Sequence, residues 1–133
     1  MHPKFRNADV LSTAVIGAAI EVHRLKGPAL MEGIYERCLT HELSLRGIFC
    51  TNQGTVPIEY KGMVFEQALR FDMLVEDCLL LELKSVVEIL PIHKAQLLSY
   101  MRLLDMPVGL VLNFHALRLT DGVTRMILPG ANA

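Results

Sequence analysis

Three charged residues stand where charge is least expected. Glu82 and Lys84 interrupt the apolar run from Cys78 to Val87, which otherwise reads as a buried strand. Set two apart on an extended chain, they share one face, while Leu81 and Leu83 take the other. Asp72 lies upstream, across a turn expected at Glu76-Asp77. Burying charge costs several kcal/mol per ion unless the group is paired or holds a metal. A structural Glu–Lys pair at the sheet margin is the ordinary explanation. Register decides whether Asp72 joins it. A two-residue turn pairs Val75 with Cys78 and sets Asp72 opposite Leu81, on the wrong face. A three-residue loop over Glu76, Asp77 and Cys78 pairs Val75 with Leu79 and sets Asp72 opposite Glu82. Facing carboxylates repel unless a cation lies between them. With a backbone carbonyl such as that of Leu83, they would form a hard oxygen site suited to Mg²⁺ or Mn²⁺. A nearby lysine would orient an attacking water or neutralise charge on a phosphate. That is the chemistry of metal-assisted phosphodiester hydrolysis.

Two helices would flank this site. His93, Gln96 and Tyr100 fall at spacings of three and four on one expected helix, so they share a face. Such a polar stripe could hold phosphate oxygens or simply meet solvent. His93 has no partner at zinc-ligand spacing. Glu32 and Glu36 sit one turn apart on another helix. Surface solvation is the usual reason for such a pair, though a helical glutamate could also reach a metal or its water shell.

The elements that must position these residues follow from periodicity. Leu11, Val15, Ala18, Val22 and Leu25 predict an amphipathic helix from Asp9 to Leu25, broken at Gly27-Pro28. Lys4 and Arg6 before that stretch resemble a signal peptide, but Asp9 and Glu21 bracket the stretch and argue against it. A second helix spans Leu30 to Arg46, with Met31, Ile34, Tyr35, Cys38 and Leu39 as its apolar stripe and Gly47 as its cap. Strands are expected around Val56 to Tyr60 and Val64 to Val75, joined at Lys61-Gly62. A helix over Ile92 to Leu104, opened by Pro91, and a buried strand over Val108 to Phe114 follow. Leu117–Leu119 and Thr124–Leu128 flank Asp121-Gly122 as an expected hairpin. The class is α/β, a small mixed sheet with packed helices.

The 133 residues suit one domain over 1–133, with no repeat, linker or low-complexity tract. At 14.9 kDa, the folded surface should be about 7,000 Å². Hydrophobic residues at 52% and charged residues at 20% exclude disorder. A net charge of −1 excludes a polybasic coat, so any nucleic-acid contact must come from a local patch. Cys38, Cys50 and Cys78 are scattered and odd in number, which fits a reducing cytoplasm rather than disulfides or structural zinc. No apolar run approaches the roughly 20 residues that span a bilayer.

Together these residues resemble the PD-(D/E)XK nuclease superfamily, and more narrowly its small GxxExxY proteins, from about Leu11 to Met126. The ordered set is Glu32-Gly33-Ile34-Tyr35-Glu36, Arg70-Phe71-Asp72, Glu82-Leu83-Lys84, His93, Gln96-Leu97-Leu98-Ser99-Tyr100, Asn113-Phe114 and Asp121-Gly122. The resemblance implies a core of order αβββαβ, here with an extra N-terminal helix and a C-terminal hairpin. It implies Asp72 and Glu82, with the Leu83 carbonyl, as metal ligands for Mg²⁺ or Mn²⁺, and Lys84 as the catalytic lysine. Glu36, or Glu32, would be the helical acid. Gln96 and Tyr100 match a QxxxY motif that contacts nucleic acid, and His93, Glu32 and Tyr35 complete the substrate-binding set. The implied partner is nucleic acid, DNA before RNA, and a homodimer would supply the surface a duplex needs. Ala29 stands where the family motif opens with glycine, Lys26 where a leucine is usual and His115 where a glycine often follows Asn-Phe. Two other readings stand beside a nuclease: a non-catalytic module that binds nucleic acid or protein, and a scaffold in which Asp72, Glu82 and Lys84 form a buried ion network.

Overall fold

Helix α1 (Phe5–Lys26) buries Ala8, Ser12, Val15, Ala19 and Val22, alternating steps of four and three. It begins earlier than expected, at Phe5, and its stripe leaves Leu25 exposed. Helix α2 (Glu32–Leu45) buries Tyr35, Leu39 and Leu43, whereas Met31 and Ile34 of the expected stripe face outward. It ends as expected at Gly47, at φ +73°. The Ile48 N–H returns to the Leu43 carbonyl and the Gly47 N–H to that of Ser44, a Schellman closure. The computed structural model describes the backbone of residues 1–133 and every side chain except those of Gln67 and Ala68.

The strands are β1 (Cys50–Asn52), β2 (Thr55–Tyr60), β3 (Met63–Arg70), β4 (Met73–Val75), β5 (Leu79–Lys84), β6 (Val108–Asn113) and β7 (Val123–Ile127). Five of them form a mixed sheet in the order β1-β4-β5-β6-β7, while β2 and β3 pair separately. Only β5 and β6 are parallel, joined through helix α3 (Pro91–Leu104). α3 therefore runs back along the sheet, antiparallel to both. Leu79, Leu81 and Leu83 of β5 join α1 and α2 in one core on the first face. Leu80 of β5 and Val111 of β6 pack on the other face under Leu97, Tyr100 and Met101 of α3. By alternation Glu82 and Lys84 share the α3 side. The surface of 7495 Å² is close to the scaling expectation.

Two expectations need correction. The strand expected over Val64 to Val75 is two strands in two sheets. β1 pairs with β4 and β2 with β3 in one continuous register, from Cys50↔Val75 through Asn52↔Met73 to Thr55↔Arg70. The result is one antiparallel ribbon, bent where Gln53-Gly54 faces Phe71-Asp72. Beyond the bend the ribbon leaves the main sheet and lays Val56 over α3. Its register shifts between Val56 and Ile58, where Pro57 cannot donate. The expected C-terminal hairpin is also absent. Residues 119–122 form a 3₁₀ turn, and β7 pairs with β6 instead. A Cβ on Gly122 would overlap the Asn113 carbonyl, so this glycine serves close approach, not a hairpin turn.

Ala29 precedes α2 at φ +67°, a left-handed conformation that L-alanine adopts only under strain. Its strain of roughly 1–2 kcal/mol is partly offset on replacement by glycine's greater unfolded-state entropy. Ala29→Gly is expected to stabilise the protein by about 0.5–1 kcal/mol. Urea unfolding measures this, and an unchanged or lower midpoint would contradict it.

Candidate active site

The bend in the ribbon places Asp72. The Gln53 N–H donates to the Asp72 carbonyl at 2.8 Å, and the Phe71 N–H donates to the Gly54 carbonyl at 2.9 Å. The Phe71 ring, 4% exposed, lies over Gly54 where a Cβ would be. Next to it, the turn over Glu76 and Asp77 holds both residues at positive φ and leaves Cys78 as the third loop residue. Val75 consequently pairs with Leu79, Leu74 with Leu80 and Met73 with Leu81. This is the odd-length register that brings Asp72 to the level of Glu82.

The Leu83 N–H donates to Asp72 Oδ2 at 2.8 Å. In a strand, one residue's N–H and C=O leave on the same side, so the Leu83 carbonyl faces the same edge. Glu82 is 7% exposed. Burial pushes its carboxyl up to about 8, and the charge of Asp72 and a hydrogen bond to it push the same way. Lys84 opposes the shift, its Nζ lying 3.9 Å from Glu82 Oε1, and Glu32 adds a smaller upward push. Without a metal, Glu82 therefore keeps its proton at neutral pH.

That proton has a sign for stability. The folded protein holds it up to about pH 8, whereas an ordinary carboxyl releases it near 4.5. Glu82's contribution is then fully present below the lower value and is lost as pH rises through the upper one. Metal-free protein is expected to lose stability across that interval, and Glu82→Gln to flatten the slope. Urea midpoints in EDTA measure it, and a slope unchanged by Glu82→Gln would assign it to other groups.

Buried Asn113 fixes the chain after β5. Its Oδ1 accepts from the Val86 and His115 N–H groups, and its Nδ2 donates to the Val86 carbonyl at 2.9 Å. The Phe114 N–H reaches the Lys84 carbonyl at 2.8 Å. These bonds anchor Lys84 where β5 ends.

The helical residues divide. Glu32 lies close enough for its charge to act on Glu82. Glu36 accepts from Gln53 Nε2 at 2.8 Å and Asn52 Nδ2 at 3.1 Å, in a groove shared with Arg37, Thr40 and His41. Gln53 thus joins Glu36 to the Asp72 backbone. Tyr35 is not at a binding surface. It is fully buried, stacked on Phe114 at 4.3 Å. Its hydroxyl donates to the Gly27 carbonyl and accepts from the Leu30 N–H, bracing the loop that leads to Glu32. His93 Nδ1 accepts the Leu90 N–H and so caps α3. Exposed Gln96 donates to the hydroxyl of Tyr100, which is 6% exposed and packs in the α3 core. Asn52, Gln53, Gly54 and Asn113 position the site, yet their types alone carry no catalytic signal.

Among the described residues, no group of three or more His, Cys, Asp and Glu side chains is placed to hold a metal ion. The groups that could hold one here are two carboxylates, Asp72 and Glu82, with the Leu83 carbonyl on the same edge. Magnesium is commonly bound by one or two carboxylates with waters completing its shell. Two carboxylates at one level, one of them held protonated by burial, fit such a cation. Residues 9–126 match the family model described as the PD-(D/E)XK nuclease superfamily. No curated protein and no solved structure matches the chain.

Proposed function

The chain belongs to the PD-(D/E)XK nuclease superfamily, and on that premise we propose that it is a Mg²⁺- or Mn²⁺-dependent nuclease of the GxxExxY group. The observation that carries this reading is the convergence of Asp72, Glu82 and Lys84 at one strand edge, with Glu82 pushed up to about 8. When bound, the ion supplies Lewis-acid chemistry, acidifying water and offsetting charge on the phosphate. Asp72 keeps Oδ2 on the Leu83 N–H and presents Oδ1. Glu82 would hold the ion in its deprotonated form. Lys84, its side chain 19% exposed, holds a positive charge where it can orient water and stabilise phosphoryl oxygens. Gln53 and Glu36 steady the Asp72 corner. Gln96, exposed in the second turn of α3, would be the residue of the QxxxY pair that meets the strand.

A cleavage panel tests this: single-stranded, double-stranded, nicked and branched DNA, and RNA, with Mg²⁺, Mn²⁺ or EDTA. Metal-dependent cutting by the wild type and none by identically purified Lys84→Ala is expected. The small donor set and the near-neutral charge favour one other reading, a binding module that holds nucleic acid without cutting it. Retained Mn²⁺ binding with no cleavage anywhere in the panel would select it.

A further inference from the structure

An open cleft lies beside Lys84 at the carboxyl ends of the parallel pair β5 and β6, where α/β sheets commonly take their ligands. Leu30, Met31 and Glu32 form one wall, and Ser85, Val86 and His115 the other. The walls are tied together. Ser85 Oγ donates to the Leu30 carbonyl at 2.5 Å, and the Ala29 N–H reaches the Phe114 carbonyl at 3.3 Å. Buried Asn113 holds the backbone of both Val86 and His115. The cleft therefore costs little ordering when it is filled.

Its chemistry selects the occupant. The lining includes the carboxylate of Glu32 and no Lys or Arg, which disfavours a phosphate. Four lining side chains, Ala29, Leu30, Met31 and Val86, are apolar, and Met31 is 77% exposed at the mouth. Glu32 can accept from an exocyclic amino group, and His115 offers both a ring face and a polar nitrogen. Flat, apolar on its faces and polar at its edge, a nucleobase fits all of this. From the nuclease reading above, on which it rests, we infer that this cleft receives one unpaired base next to the phosphate held at Asp72, Glu82 and Lys84. A base inside a duplex stack cannot enter, so the substrate class is a single strand, flap or frayed end.

The test measures fluorescence anisotropy of labelled DNA with the full chain in Ca²⁺, beside cleavage in Mg²⁺. Single strands are expected to bind at least about tenfold tighter than blunt duplex, since one stacked base is worth about that much or more. An abasic site walked along the strand should cost about tenfold at one position. Met31→Ala, a surface change, and His115→Gly should weaken the intact strand and leave the abasic strand unaffected. Equal binding of duplex and single strand, or no position sensitive to base removal, would overturn the inference even if cleavage is seen. Base-dependent binding without cleavage would uphold the cleft's assignment and defeat only the nuclease reading.

Discussion

Asp72→Asn is expected to lower metal-dependent cleavage by at least about 100-fold, the scale for losing a preorganised electrostatic group. Asparagine can still accept the Leu83 N–H that Asp72 accepts at 2.8 Å, so the β4–β5 edge should keep its shape. A neutral side chain no longer presents a second carboxylate, so the stabilisation expected of Mn²⁺ in the wild type should vanish with activity. That stabilisation would be about 2.7 kcal/mol with the ion at a hundred times its dissociation constant. The metal-free variant should be the more stable one at neutral pH and above, because Asp72 no longer pushes the Glu82 carboxyl up. Thermal melts with EDTA or Mn²⁺, run beside the cleavage assay, read all three effects. An unreduced Mn²⁺ shift in the variant would remove Asp72 from the metal site.

Gly54→Ala is expected to destabilise the protein by about 3 kcal/mol, the upper range for overpacking. The added methyl would overlap the Phe71 ring, which is 4% exposed and hemmed in by Val56, Leu80 and Tyr100. The ring is buried in that cluster and has little room to rotate away, so the overlap strains the backbone beside Asp72. Trimming it with Phe71→Leu in the same chain should recover much of the loss, a coupling that a double-mutant cycle in urea measures. Strictly additive single effects would show that the ring and the glycine do not meet.

The reach of the sequence can be judged at these same residues. The alternation of Leu79 to Lys84, and the choice between a two- and a three-residue loop, follow from the period of a strand. The observed Val75↔Leu79 pairing is the alternative that brings the carboxylates together. The bend in the ribbon is not legible. Pairing keeps its register across it, so the pattern from Met63 to Val75 shows no break, and the Phe71 ring lies over Gly54, a residue seventeen positions earlier on the facing side of the ribbon. Asp121-Gly122 carries a turn signal, yet β7 pairs with β6 across the longer connection 114–122, not with the segment just before the turn. Tyr35 shows a different limit. Its motif suggests substrate binding, while full burial on Phe114 gives it positioning work instead.

The bent ribbon also makes Asp72 the vertex of a mechanical linkage. Below it, the ribbon is one leaf of the sheet, and above it the same two strands become an arm resting on α3. Glu82 sits on β5, clamped between β4 and β6, and cannot follow the arm. A load that tilts the arm would therefore open or close the gap between the two carboxylates, converting a push on a distant hairpin into a change in grip. Residues added at the Lys61-Gly62 tip would lengthen the lever without moving its pivot.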